Sequence, residues 1–414
     1  MVPKGWEKNS LDSLFEFKNG LNTEKEQYGN GYKFVNVMDV FRNDILTESK
    51  IIGRVQVTDK QLEGYQLKYG DVLFNRTSET FDEIAIAAIY LDNAIATFGG
   101  FVIRARPKGN QIDPAYSVFL FQSKSYRSQV VKLGQGAIRA NIGQKDLARV
   151  CILVPPLAEQ KKIAQILSTW DKAISVTEKL LTNSLQQKQA LMQQLLTGKK
   201  RLLDENGVRF STEWEFKRIS EIATRVQRKN DAAEHPILTI SSLSGFVRQD
   251  ERYSRYMAGE SVKNYILLKK GEFAYNKGNS KTYEFGCIFD LEAYEAGLVP
   301  HVYVCFRLKN GLSHRYFKYL FEADYLKPQL GALVNTGVRN NGLLNIKPTE
   351  FMQTKVPVPC FEEQESIADM LYNSSRTIRV LQDKLACLKD EKKALMQQLL
   401  TGKRRVKVDE AVAV

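Results

Sequence analysis

Two long stretches of the chain carry apolar side chains at a 3.5-residue period, and no other pattern in it is as strong. Alternating steps of four and three from Ile163 meet Leu167, Trp170, Ile174, Thr177, Leu181, Ser184, Lys188, Leu191 and Leu195, so that seven of these ten positions are apolar. The same steps from Ile367 meet Leu371, Ser374, Ile378, Leu381, Leu385, Leu388, Lys392, Leu395 and Leu399, and eight of ten are apolar. A 3.5 repeat held this long predicts a coiled-coil seam rather than the face of a lone surface helix. Pro155-Pro156 and Pro359 stand before the two stretches and Gly198 and Gly402 after them, in the order that starts and stops helices. The pattern predicts helices over 159–197 and 363–401, each about 58 Å long at 1.5 Å per residue. Each leaves an apolar face for which the other is the natural cover. Lys188 and Lys392 share a heptad position, where a lysine either fixes register or snorkels to water.

The remaining segments change period. Asp71 to Asn75, Ile84 to Leu91 and Phe101 to Arg106 are short apolar runs rich in β-branched and aromatic residues, and His301 to Leu308 reads similarly. Pro114 to Lys132 and Leu312 to Leu326 carry apolar residues at helical spacing. Each long helix is thus preceded by an α+β domain of about 150 residues, on the order of an ordinary domain.

Internal similarity makes the organisation explicit. Ala190-Leu191-Met192-Gln193-Gln194-Leu195-Leu196-Thr197-Gly198-Lys199 returns unchanged 204 residues later, from Ala394 to Lys403. The same offset carries Val154-Pro155 onto Val358-Pro359, Glu159-Gln160 onto Glu363-Gln364 and Ile163-Ala164 onto Ile367-Ala368. Upstream, Trp6-Glu7 pairs with Trp214-Glu215, and Gly70 to Arg76 with Gly271 to Lys277. The chain is one unit written twice. The expected boundaries are 1–154 and 201–357 for the α+β domains, 155–200 and 358–403 for the helices, and 404–414 for a tail. The fold class is α+β, with two tandem domains, an antiparallel helix pair and a pseudo-two-fold axis.

Composition narrows the chemistry. With 60 Lys and Arg against 47 Asp and Glu, the 414-residue chain carries a net charge of +13. Residues 1–207 hold 28 basic and 22 acidic residues (+6), and residues 208–414 hold 32 and 25 (+7), so both halves share the excess. No run of 18 apolar residues occurs and the first residues have no apolar signal core, which predicts a chain that neither spans a membrane nor is secreted. Five scattered cysteines without a CxxC pair fit a reducing, cytoplasmic setting. Three histidines in all leave little material for His/Cys metal sites or Ser-His and Cys-His nucleophile pairs. Binding is expected, not catalysis.

A duplicated basic module fits double-stranded DNA, whose antiparallel strands present two equivalent surfaces related by a local dyad. Domains that differ more from each other than the helices do would read different bases, making the site bipartite and asymmetric. Arg, Lys, Asn and Gln are suited to base edges and phosphates. They cluster at Asn75-Arg76-Thr77-Ser78, at Gln135 with Arg139 and Asn141, and at Arg248 to Tyr256 with Arg252, Tyr253 and Arg255. Asn276-Lys277, Asn279, Lys281 and Arg339-Asn340-Asn341 complete the set of expected contacts.

Several fragments resemble catalytic motifs and fail on inspection. Gly134-Gln135-Gly136-Ala137-Ile138-Arg139 ends in Arg where a dinucleotide fingerprint needs a small residue, and Gly278-Asn279-Ser280-Lys281-Thr282 lacks the glycines of a phosphate loop. Val154-Pro155-Pro156-Leu157 lacks the polar first residue and aromatic last residue of an adenine methyltransferase tetrapeptide.

Taken together, the chain resembles the specificity subunits of type I restriction-modification enzymes. Carrying the resemblance are Val154-Pro155-Pro156-Leu157 with Glu159 to Ala164, Pro359 with Glu363-Gln364 and Ile367-Ala368, the Leu-Met-Gln-Gln-Leu-Leu-Thr-Gly helix ends, and Trp6 and Trp214. Cys360-Phe361 departs from the pattern where the first copy has Pro156-Leu157. The resemblance implies a non-catalytic subunit with two target-recognition domains, each reading half of a split DNA site. It also implies helices that set the spacer and dock two adenine-N6 methyltransferase subunits, with restriction subunits supplying translocation and cleavage. S-adenosylmethionine, ATP and Mg would belong to those partners, and this chain would bind no cofactor of its own. Two other readings compete with this one: a coiled-coil scaffold with protein-binding end domains, and a self-contained restriction or methylation enzyme.

Overall fold

The computed structural model describes residues 2–136, 138–231, 233–252, 259–278, 280–334 and 344–408. The chain divides into two compact units, one formed by residues 1–178 with 383–414 and the other by residues 179–382. The two long helices, Leu157–Leu195 and Phe361–Leu399, are 39 residues each, and each contributes a segment to both units.

In the first unit the head is built on a five-stranded sheet in the order Phe15–Asn19, Val102–Pro107, Val72–Asn75, Ala87–Tyr90, Ile45–Leu46. Its neighbours are antiparallel except the last pair. A three-stranded sheet of Arg54–Val55, Tyr28–Val35 and Ala96–Phe98 lies beside it. Leu73, Tyr90, Phe98 and Val102 fill one core, while Val72, Phe74, Ile103 and Ala105 face another. This alternation is the period-2 signature of strands covered on both faces. Glu7–Ser10 pairs antiparallel with Cys151–Val154, the strand leading into the first long helix, so the head begins and ends at the helix base.

The second unit repeats this plan with fewer strands among the described residues. Ala223–Arg225, Val304–Leu308, Phe273–Asn276 and Cys287–Asp290 form an antiparallel sheet. Glu215–Arg218 pairs with Lys355–Val358 ahead of the second long helix. Where the first head has its three-stranded sheet, the second carries a hairpin, Leu238–Ser241 with Gly245–Arg248, and the pair Ile266–Lys269 with Ala296–Val299.

Within each unit the start of one long helix packs against the end of the other. Ile163, Ala164 and Leu167 share a core with Leu399 and Leu400 in the first unit, and Leu195 and Leu196 share one with Ile367, Ala368 and Leu371 in the second. The helices are therefore antiparallel in both, as the seam requires. Ile163, Leu167, Leu195, Ile367, Leu371, Ile378 and Leu399 are buried, and Trp170, Ile174, Leu181, Leu191, Leu381, Leu385, Leu388 and Leu395 are half-buried. Each buried Leu or Ile contributes about 1.5–3 kcal/mol.

The two seam lysines find different partners, one on the facing long helix and one on a head. Lys392 pairs with Asp171 at 2.5 Å and lies 5.5 Å over the Phe119 ring. Lys188 pairs with Glu322 at 2.6 Å and lies 5.4 Å over Tyr319. Asp171 lies on the facing long helix, so Lys392 ties the two helices together as a register-setting residue would, whereas Lys188 reaches past the seam to the head.

A second arrangement also occurs twice. Trp6 Nε1 donates to Glu159 at 3.1 Å, and Arg405 pairs with the same carboxylate through two nitrogens and lies 5.8 Å over the indole. In the second unit Trp214 Nε1 donates to Glu363 at 2.8 Å, while Arg201 pairs with it at 2.6 and 2.7 Å and lies 5.6 Å over the indole. Each latch joins the start of a head, the start of one long helix and the segment following the other.

The helical stretch expected from Pro114 to Lys132 is two helices, Pro114–Leu120 and Lys124–Leu133. Ser123 separates them because its Oγ accepts the Tyr126 amide and caps the second helix. In the second unit the stretch expected to run to Leu326 ends at Glu322, and Asp324 adopts a left-handed φ of 54°. Burial pushes the Asp324 carboxyl from its ordinary 3.8 up to about 6, with Glu284 adding to the effect and Lys327 opposing it. A raised acid pKa means that this group's share of stability is present below pH 3.8 and lost as pH rises through 6. Asp324→Asn suits the left-handed backbone and removes that loss. The variant should raise the unfolding temperature at pH 7.5 by roughly 2–4 °C and show little advantage at pH 4, by calorimetry. An equal gain at both pH values would contradict this cause.

Candidate nucleic-acid interface

In the first unit, four of the residues expected to touch DNA converge on one loop pair. The central strand Val72–Asn75 leaves the sheet at Arg76, and Thr77–Ser78 pairs antiparallel with Ala140–Asn141. The Arg76 amide donates to the Phe101 carbonyl at 2.8 Å, and its own carbonyl accepts the Ile142 amide at 3.0 Å. Gln135 and Asn141 exchange both backbone hydrogen bonds, at 2.9 and 2.7 Å, which closes the loop 135–141 like a hairpin. Gly136 sits in that loop at φ 125°, where a Cβ would lie 2.0 Å from the Arg139 carbonyl oxygen, so only glycine fits. That backbone demand explains the glycine without any dinucleotide. Arg76, Gln135, Arg139 and Asn141 are all exposed on this small ribbon.

Asn75 belongs to the same segment but not to its surface. It is fully buried, its Nδ2 donates to the Thr77 and Glu83 carbonyls at 3.1 and 2.9 Å, and its Oδ1 accepts the Ile86 amide at 2.5 Å. Tyr126 Oη and the Arg127 guanidinium donate to the carbonyl of neighbouring Ala85, at 2.8 and 3.0 Å, where φ is 52°. Burial lowers the Arg127 pKa, and these carbonyl contacts hold its cation in place. Asn75, expected at the DNA, instead fixes the turn from which Arg76 projects: a carboxamide closing three backbone bonds in a dry core has no free edge for a base.

In the second unit Asn276 and Lys277 occupy the equivalent exit, with the Leu344 amide bonding the Lys277 carbonyl at 3.0 Å. Both are half-buried, and Asn276 Oδ1 accepts the Gly278 amide at 3.0 Å. Arg252 is exposed at its backbone turn, but its Nη1 donates to the Ile240 carbonyl at 2.8 Å. Arg248 is held by Asp250 at 2.7 Å, which leaves it a weaker candidate for phosphate. Tyr253, Arg255, Asn279, Arg339, Asn340 and Asn341 lie outside the described residues.

Residue type alone did not mark two neighbours of the first ribbon. Phe101 is 64% exposed and Ile138 is 92% exposed, although both are apolar and sit among Arg, Gln and Asn. The sequence carried no signal for this, since Phe101 adjoins the apolar strand run Val102-Ile103 and Ile138 follows Gly136-Ala137.

Each unit also holds a groove between a long helix and the head. In the first unit it encloses about 640 Å³, and Lys124, Arg127, Lys389, Lys393 and Lys403 line it with Met396. In the second unit Met192, Leu196, Tyr283, Asp324, Tyr325 and Lys327 line about 840 Å³. Among the described residues no group of three His, Cys, Asp or Glu side chains could hold a metal ion, and no helix is long and apolar enough to cross a membrane.

Comparison with known proteins places these features. Residues 3–187 match the family described as the type I restriction modification DNA specificity domain. A Methanocaldococcus jannaschii protein assigned as the MjaX type I restriction enzyme specificity subunit is 24% identical, over 98% of this chain and 95% of its own length. The MjaVIII specificity subunit of the same organism is 25% identical over 74% of each chain. Among solved structures, the type I restriction-modification S subunit from M. genitalium superposes with a TM-score of 0.54 at 14% identity, over 96% of both chains. At that identity the likeness speaks for the fold.

Proposed function

We propose that this chain is a specificity subunit of a type I restriction-modification enzyme and that its two unlike heads read the two halves of an asymmetric, bipartite DNA site. The match of residues 3–187 to the type I DNA specificity domain and the likeness to specificity subunits along nearly the whole chain support sequence-specific DNA recognition within a type I complex by a subunit that is itself non-catalytic. Methyltransferase and restriction subunits are its partners in that complex. A protein-binding scaffold and a self-contained enzyme are both disfavoured.

One observation carries the bipartite reading. The latches of Trp, Glu and Arg are the same in both units, whereas the heads mounted on them differ, among the described residues, in how their strands are grouped into sheets. A repeated mount with two unlike heads suits two different base sequences. In the first head Arg76, Gln135, Arg139 and Asn141 are the proposed contacts; in the second they are Asn276, Lys277 and Arg252, together with Tyr253, Arg255, Arg339 and Asn340. The two grooves, one per unit, fit two methyltransferase subunits docking along the long helices. S-adenosylmethionine, ATP and Mg act in the partner subunits, and the complex works in the cytoplasm.

The test combines genetics and binding. Mapping N6-methyladenine in host DNA with and without this gene should reveal one split motif that disappears with it. Binding of the complex to that site should weaken steeply between 50 and 200 mM salt, by counterion release. Arg76→Ala should weaken binding to all duplexes alike and lower the salt slope by about one if Arg76 meets a phosphate. A methylation pattern indifferent to the gene would refute the assignment.

A further inference from the structure

Ile138 stands at the tip of the loop closed by Gln135 and Asn141, almost entirely in water. Nothing in the unit requires an isoleucine there: the backbone bonds and Gly136 shape the loop, and Ala140 and Ile142 supply its buried anchors. Phe101 is also exposed, and its carbonyl takes the amide of Arg76, whose own carbonyl takes the Ile142 amide at the foot of that loop. The combination is two exposed apolar side chains on backbone-linked segments that also carry the exposed Arg76, Gln135, Arg139 and Asn141.

A partner for such a surface must offer anionic, hydrogen-bonding and apolar groups within a few ångströms. The major groove of a duplex does so, because phosphates border it, base edges line it, and thymine alone adds a methyl group. The exposed, hairpin-like loop closed by Gln135 and Asn141 is of a width that this groove, which admits a two-stranded ribbon, can take. A wedge between base steps would have to unstack them, and the surrounding amide and guanidinium groups match base edges better than an opened stack. Resting on the DNA-recognition reading above, we infer that Ile138 and Phe101 form an apolar reading element that packs against a thymine 5-methyl group in the first half-site.

The experiment uses the complex and duplexes carrying its mapped site. Each thymine of the first half-site is replaced in turn by deoxyuridine, which deletes only the methyl group. The native protein should lose about fourfold in affinity at one position, the equivalent of one buried methyl group. Ile138→Ala should bind the thymine duplex about tenfold more weakly and show no further loss with deoxyuridine, and Phe101→Ala should reduce the same sensitivity. Ile138 is so exposed that its replacement leaves the fold intact, and Ile138→Val should fall between the two. If Ile138→Ala keeps the full deoxyuridine penalty, or no thymine position is sensitive in the native protein, the apolar element is overturned while site-specific binding stands. Loss of all sequence preference in the native complex would instead overturn the reading on which it rests.

Discussion

Deleting residues 178–184 together with 378–384 should shorten the spacer between the two half-sites while leaving both half-site sequences unchanged. Each deletion removes one full heptad, so the order of seam positions is kept on both helices. Seven residues span about 10.5 Å of helix, which covers about three base-pair steps of 3.4 Å. Forcing the shortened protein onto the original spacer would require bending or twisting the duplex, at roughly 1–6 kcal/mol. The original site should thus be bound more weakly, and methylome mapping should show a motif with the same two halves drawn closer. Deleting only one heptad misaligns the antiparallel seams and should cost stability instead. Changed half-site bases in the doubly deleted protein would sink the proposed spacer role of the helices.

Glu363→Ala should destabilise the second unit far more than Glu159→Ala destabilises the first. The Glu363 side chain is completely buried and takes one bond from Trp214 and two from Arg201, whose side chain is only 19% exposed. Removing the carboxylate strands a guanidinium and an indole N–H in a largely dry site, and breaking such a pair costs about 3–5 kcal/mol. Glu159 is 11% exposed and its Arg405 partner is 40% exposed, so water can replace much of what is lost there. The loss should be roughly 1.5–3 kcal/mol. Hydrogen exchange at the helix starts, read separately for residues 361–371 and 159–167, measures both. Equal loss of protection in the two variants would show that burial does not grade the latches.

The long helices were legible in the sequence because a seam repeats one rule at twenty positions, and the repeat supplied the antiparallel partner. The heads were less so. Their strands are two to eight residues long and pair across many intervening residues, as Glu7–Ser10 does with Cys151–Val154. The pattern therefore identified strands but could not order them. Trp6, Trp214, Glu159 and Glu363 stood out through the repeat, yet Arg201 and Arg405 share the same offset and went unmarked, since arginine is common in a basic chain. In the candidate interface, side-chain type was a partial guide to exposure. Arg76, Gln135, Arg139 and Asn141 lie exposed as a DNA contact requires, whereas Asn75 does not, because an asparagine that closes a buried turn looks the same in sequence as one left free at the surface. Ile138 and Phe101 escaped for the opposite reason: apolar residues are taken for core until their exposure is known.

The first latch also bears on the order in which the protein can be finished as it is made. Residues 179–382 are one unbroken stretch, so everything the second unit needs has been synthesised before the last heptads emerge from the ribosome. The first unit begins the chain yet takes residues 383–414 as well, with Leu399 and Leu400 in its core and Arg405 bonded to Glu159 and to the Lys4 carbonyl. The head made earliest is therefore completed last, and until then its share of the first long helix waits with an uncovered apolar stripe, the kind of surface that chaperones hold.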